Sequence, residues 1–175
     1  MNNAYYPKPN SIEYPRIKVF VAYTEMQPAT AISLIGYNYI PVETSKDDDF
    51  SYQKYLKKRW EEKETFITIE QDTVIWPGAL EAIWDCPEIW CLYDAHLPIH
   101  RLRKIEDPSF GVPMACMKIS AQMIAQTPNL WDEPIEWNIC EKRLMECKIK
   151  PHQHFPSIVN ANPALLGFAS REENG

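Results

Sequence analysis

From Ile17 to Tyr23 the chain reads Ile-Lys-Val-Phe-Val-Ala-Tyr, apolar without a break after Lys18. A strand with one wet face alternates apolar and polar residues, whereas a continuous run asks for cover on both faces. A sheet built on such a strand needs helices on either side, and the following sequence supplies them in alternation. Pro28 suits the first turn of a helix through Ala29, Ile32, Leu34 and Ile35, which stops at Gly36 in a left-handed cap. Tyr39-Ile40-Pro41-Val42 is a second, shorter strand, and Pro41 assigns it to an edge or a strand start. Asp47-Asp48-Asp49 precedes a second helix, capped by Asp49 or Ser51. Its Tyr52, Tyr55, Leu56 and Trp60 share one face, while Lys57–Glu61 and Lys58–Glu62 pair toward solvent.

The alternation continues with a third strand over 66–70 and a helix opened by Pro77-Gly78 through Leu80, Ile83 and Trp84. A fourth strand covers 89–93, a loop 94–110 and a fifth strand 112–119. Ser120 caps a short helix, and Trp137, Cys140, Leu144 and Cys147 mark a last amphipathic one. The order β-α-β-α-β-α-β-loop-β-α-α predicts one α/β domain over 1–175. Its mostly parallel central sheet is flanked by helices, with an arm over 1–15 and an irregular tail over 150–175.

Composition narrows the function. The chain has five glycines and 15 prolines in 175 residues, where average usage gives roughly 12 and 9. Gly36, Gly78, Gly111, Gly167 and Gly175 are too scattered for a glycine-rich phosphate loop. Kinases, P-loop NTPases, typical dinucleotide-binding dehydrogenases and α/β-hydrolases are therefore disfavoured. No apolar run approaches the roughly 18 residues of a membrane span, and residues 1–9 do not read as a signal peptide. The five cysteines, Cys86, Cys91, Cys116, Cys140 and Cys147, are odd in number and partly inside apolar runs. They read as reduced thiols, so a cytoplasmic protein with no membrane partner is expected. The net charge of −6 argues against general nucleic-acid binding; His100-Arg101-Leu102-Arg103-Lys104 is a local basic exception.

In open α/β sheets, ligands sit beyond the C-terminal strand ends. Those ends here are Tyr23-Thr24-Glu25, Glu43-Thr44, Glu70-Gln71-Asp72 and Tyr93-Asp94-Ala95-His96. Four polar, partly acidic termini on one rim exceed what packing requires. Period-two alternation aims Glu70 and Asp72 to the same side of an extended segment. Two carboxylates aimed together repel unless a cation or proton lies between them. A hard divalent ion with oxygen ligands and room for substrate phosphates fits that demand. The plainer alternative is a solvated pair at a strand end.

Over most of residues 16–158 the chain resembles the small GT-A-type glycosyltransferase-like proteins found among phages and environmental sequences. The likeness is carried by Val21-Ala22-Tyr23-Thr24 with Pro28 and Thr30, Gly36-Tyr37, and the helix from Tyr55-Leu56 to Trp60. It continues through Glu64 to Val74, Pro77-Gly78-Ala79-Leu80, Cys86-Pro87, Trp90-Cys91, Gly111 to Ser120, and Pro151-His152-Gln153-His154-Phe155-Pro156. The resemblance implies a GT-A, nucleotide-diphospho-sugar transferase-like fold and a metal-dependent transfer of sugar from a nucleotide-sugar donor. Glu70 and Asp72 match the family's D-x-D-like motif, with Glu in the first place, and would hold Mn²⁺ or Mg²⁺ against the diphosphate. Tyr23 and Thr24 would line the nucleotide site, with Glu43 at the neighbouring strand end. In this family a late histidine often completes the metal shell, which implies His152 or His154. Relatives carry another histidine where this chain has Asn160.

The remaining candidates keep two readings each. His152 and His154 form an H-x-H pair that faces one way in an extended segment, or they are ordinary surface histidines. A zinc site from Cys140, Cys147, His152 and His154 would need the spacing C-x6-C-x4-H-x-H. That is not a usual structural-zinc spacing, and the two cysteines suit the apolar face of a helix. An inverting transferase needs a carboxylate base for the acceptor hydroxyl. Asp132, Glu133 and Glu136, flanked by Trp131 and Trp137, are candidates, and Asp94 is a further one. Arg101 and Arg103 would clamp a diphosphate or touch a nucleic-acid acceptor such as a modified DNA base, or they belong to a solvated loop. Three classes of function follow: a glycosyltransferase, a catalytically silent nucleotide-binding or interaction protein on the same fold, and a nucleotidyltransferase. The missing glycine-rich N-terminal loop argues against the last.

Overall fold

The computed structural model describes residues 17–96 and 115–160. Its strands are β1 (Lys18–Tyr23), β2 (Ile40–Glu43), β3 (Phe66–Glu70), β4 (Thr73–Val74), β5 (Trp90–His96), β6 (Cys116–Ile119) and β7 (His152–Asn160). The helices are α1 (Pro28–Ser33), α2 (Ser51–Glu62), α3 (Ala79–Asp85), α4 (Ala121–Gln126) and α5 (Trp137–Glu146). The strands form one sheet in the order β2-β1-β3-β6-β5-β7-β4. Among the described residues no helix is long and apolar enough to cross a membrane. The arm over 1–15, the basic cluster at 100–104 and the tail beyond 160 lie outside the described residues.

The two-faced burial read from β1 extends through the central strands β3, β6 and β5. Phe20, Ala22, Phe66, Trp90, Leu92, Met117 and Ile119 point to one side, into a core with Tyr52, Tyr55, Leu56 and Trp60 of α2. Met123 and Ile124 of α4 and Cys140 and Leu144 of α5 complete that core. Val19, Val21, Ile67, Ile69, Cys91, Tyr93 and Cys116 point to the other side, against Leu34 and against Ala79, Leu80, Ile83 and Trp84 of α3. Alternation within these central strands thus feeds two cores, so most of their buried residues are apolar. Two buried polar groups of α2 find partners: the Tyr55 hydroxyl donates to Thr68 Oγ1 at 2.8 Å, and the Trp60 indole to the Thr127 carbonyl at 3.1 Å.

Several expectations need correction. The sheet is mixed, not mostly parallel: β1–β2, β1–β3 and β5–β7 are parallel, while β3–β6, β5–β6 and β4–β7 are antiparallel. β5 ends and β6 begins at the same rim, so the chain returns without the crossover that a parallel neighbour demands. The supposedly irregular tail contains β7, nine residues long. Its Pro156 falls where the β5–β7 register skips, between Tyr93↔His154 and Ala95↔Ile158. A proline costs no ladder bond there. Residues 73–74, also unassigned, form β4 on the outer side of β7. Pro41 does sit on an edge strand, β2.

Two helix details also differ. α1 has six residues, and its inward positions are Thr30 and the following Leu34; Ile32 and Ile35 are 67% and 76% exposed. The α2 N-cap is Phe50 and makes no side-chain cap bond. Instead Asp48 accepts the Phe50 N–H at 3.0 Å and pairs with Lys54 at 2.6 Å. Neither expected lysine pair forms; Lys57 pairs with Asp132 at 3.6 Å and Glu62 with Arg59 at 2.8 Å. Gly36 does take the left-handed turn, with φ 94°. Urea denaturation checks the reassigned face of α1. Leu34→Ala should cost about 2–5 kcal/mol by leaving a cavity, and Ile35→Ser less than about 0.5 kcal/mol. Equal losses from both would contradict this packing.

Candidate functional site

The parallel strands β2, β1 and β3 end level with one another: Ala22 is opposite Glu70, and Tyr23 opposite Glu43. Two backbone bonds finish the rim, from Thr44 N–H to the Tyr23 carbonyl at 2.7 Å and from Glu70 N–H to the Ala115 carbonyl at 2.9 Å. Beyond it lies a cavity of about 350 Å³. Tyr23 and Thr24 enter from β1, Thr44, Ser45, Lys46, Asp48 and Asp49 from the β2–α2 connection, Tyr52 from α2, and Glu70, Gln71 and Asp72 from the end of β3.

β3 stops at Glu70, and Gln71 and Asp72 form a turn into β4. The alternation expected for Glu70 and Asp72 therefore does not run through Asp72, yet both line the cavity. Gln71 holds this turn in place. Its side-chain oxygen accepts from Thr24 N–H at 2.6 Å, from the Thr24 hydroxyl at 3.0 Å and from Glu25 N–H at 2.9 Å. Its backbone carbonyl accepts from Gln27 N–H at 3.1 Å. One residue thus ties the end of β3 to the chain leaving β1 and satisfies amides that no ladder reaches.

The cavity is acidic. Asp48, Asp49, Glu70 and Asp72 line it with one lysine, Lys46, which itself pairs with Glu25 at 3.1 Å, while Lys54 outside the lining pairs with Asp48 at 2.6 Å. Lys54 and the Phe50 N–H hold the Asp48 carboxyl below its ordinary value. Burial pushes the Tyr52 phenol far up, and the Glu70 charge adds to that, so Tyr52 stays a neutral donor. Oxygen donors and excess negative charge suit a hard divalent cation better than a bare anion.

The other predicted residues lie apart from this cavity. Glu43 ends β2 and is exposed, outside the lining. His152 and His154 pair in register with Cys91 and Tyr93, with β6 and β5 between them and β3. They do not join Glu70 and Asp72 in the lining. Asn160 pairs with Thr73, the residue after Asp72. Asp132 lines a second cavity of about 370 Å³ beside Lys57 and Trp60. Glu133 pairs with Arg143 at 3.5 Å, and Glu136 caps the N-terminus of α5 through its backbone. Trp131 is buried in the core and offers no stacking face. Asp94 lies at the register skip of β5 against β7. Arg101 and Arg103 fall outside the described residues.

Sequence reasoning missed the roles of Gln71, Lys46, Asp49 and Tyr52. The Asp47-Asp48-Asp49 run was a usable signal, because it follows the end of β2 on the ligand-bearing rim. Gln71→Ala should expose the Thr24 and Glu25 amides, cost about 1–3 kcal/mol and speed their hydrogen exchange about tenfold or more. Gln71→Glu, which still accepts the three bonds, should largely keep protection. Unchanged exchange in Gln71→Ala would show that another group holds the rim. A scan against protein-family models gives no match for this chain, and a search of curated proteins finds none.

Proposed function

We propose that the chain binds a nucleotide-sugar together with Mn²⁺ or Mg²⁺ in the rim cavity and transfers the sugar to an acceptor, on a sheet of GT-A type. The observation that carries this reading is the convergence of Glu70 and Asp72 with Tyr23 and Thr24 on one 350 Å³ cavity beyond parallel strand ends. Glu70 and Asp72 would hold the cation, and when bound it would neutralise charge on the departing diphosphate as a Lewis acid. Magnesium-type sites commonly use one or two carboxylates and complete their shell with substrate phosphates and water. The protein's own part is to keep those carboxylates aimed, through Gln71.

The excess of carboxylates sets an order of dependence. A diphosphate alone meets repulsion from Asp48, Asp49, Glu70 and Asp72, and a cation alone finds few ligands. Each should therefore bind weakly without the other. Calorimetry and thermal shift against nucleotides and nucleotide-sugars, with and without Mn²⁺, test this. Stabilisation should need both components, and Asp72→Ala should weaken the Mn²⁺-dependent binding at least about tenfold. Metal-independent binding, or none to any nucleotide, would sink the proposal. Retained metal dependence in Asp72→Ala would put the cation elsewhere.

A second reading, binding without transfer, is favoured by the acceptor-side carboxylates. Asp132 is engaged with Lys57 beside a different cavity, and Glu133 with Arg143. Release of nucleoside diphosphate from a bound nucleotide-sugar separates the two readings. Steady release supports transfer chemistry; tight metal-dependent binding with no release supports a silent binder.

A further inference from the structure

On the sheet face covered by α3, far from the rim cavity, sulfur and imidazole groups gather. Cys86 follows α3 as its C-cap, Cys91 lies on β5, and His152 and His154 lie on β7 beside it. The Cys86 and Cys91 sulfurs and a His154 ring nitrogen all lie within 4.8 Å of one another. His152 Nδ1 is 3.2 Å from Cys86 Sγ, and the two imidazole centroids are 4.7 Å apart. Among the described residues Cys86, Cys91 and His154 are the only group of three or more Cys, His, Asp or Glu so gathered, and His152 stands at its edge.

We propose that Cys86, Cys91, His152 and His154 form a structural site for zinc. Two thiols and two imidazoles are the soft, nitrogen-and-sulfur donor set that zinc selects, unlike the oxygen set at Glu70 and Asp72. Zinc–sulfur and zinc–nitrogen bonds of about 2.3 and 2.0–2.1 Å at tetrahedral angles separate ligand atoms by about 3.3–3.8 Å. Cys86, Cys91 and His154 lie near that spacing; His152, 3.2 Å from Cys86 Sγ but outside that mutual group, would reorient its ring to become the fourth ligand.

Three further features fit. His154 Nε2 is buried with no hydrogen-bond partner, an unusual loose end for a buried polar atom. Lys118, 4% exposed, donates to the Trp84 and Cys86 carbonyls and so fixes the end of α3 that presents Cys86. Zinc entering as two thiol protons leave keeps the local charge unchanged, so the buried ammonium poses no added penalty. His152 is exposed and gives the ion a route in, while Cys86 and Cys91 are buried. Such a site would pin the start of β7 to the α3–β5 connection. It does not depend on the nucleotide-sugar reading.

The test uses the full chain, reduced and stripped of metal, then loaded with Zn²⁺ or Co²⁺ and dialysed. About one zinc per chain should remain, and cobalt should give the visible bands of a tetrahedral thiolate site. Chelation should lower the Tm by at least about 4 °C. Cys86→Ser and Cys91→Ser should lose the metal. His152→Ala changes an exposed side chain and should fold, yet bind cobalt at least about tenfold more weakly. Asp72→Ala and Cys147→Ser should keep one zinc, which separates this site from the rim cavity and from the α5 cysteines. No cobalt bands in the reduced wild-type chain would overturn the proposal, as would a Cys86–Cys91 pair that takes no metal after reduction. Full zinc retention in His152→Ala and Cys91→Ser would do the same.

Discussion

Burial of β3 on both faces is the constraint from which the rest of the molecule follows. Phe66, Ile67, Thr68 and Ile69 all lie inside, between β1 and β6 and between two helical layers. A charged side chain along that stretch would carry a large desolvation cost. The first position where β3 can present a charge is Glu70, at the rim. The same holds for β1, apolar until Tyr23 and polar from Thr24. Polar chemistry is thus concentrated at the strand ends by exclusion from everywhere else. Gln71 then performs the one task the sheet cannot, satisfying the amides of Thr24 and Glu25 where the ladder has ended.

The donor atoms divide the molecule into two chemical regions. At the rim they are oxygens on short connections, in a cavity with a surplus of negative charge. On the α3 face they are sulfur and imidazole nitrogen on strands, with a buried lysine as neighbour. Burial raises the thiols of Cys91 and Cys116, the latter to about 12, so without a counter-charge they remain neutral.

Much of the sheet's framework was legible because burial writes itself into composition. The strands β1, β3 and β5, the helices α2 and α3, and the Ser120 cap of α4 all follow from local pattern, and Ser120 does accept the Met123 N–H at 3.2 Å. Strand direction was not legible, since Cys116–Ile119 reads the same in either sense; only the return to the same rim makes it antiparallel. β7 was hidden in a tail rich in proline and asparagine, and the cost of Pro156 vanishes at a register skip that no local rule announces. At the rim, Glu70 and Asp72 were legible from strand position, whereas Tyr52 and Asp49 needed the packing of α2. The histidines were grouped with those carboxylates through a family likeness, but the register sets them beside Cys91 and Tyr93. The spacing Cys86 to Cys91 could not be matched to His152 and His154 without knowing that β7 lies next to β5.

β7 connects these two regions. Its first residues run beside Cys91 and Tyr93, and the Trp90 indole holds the approach by donating to the Ile149 carbonyl at 2.7 Å. Past the skip at Pro156, its outer edge carries β4 through Thr73↔Asn160 and Val74↔Val159. Thr73 directly follows Asp72, so the position of Asp72 is bounded on one side by the Gln71 bonds to β1 and on the other by pairing to β7. The backbone at Asp72 is thus held between neighbours that bond to both halves of the sheet.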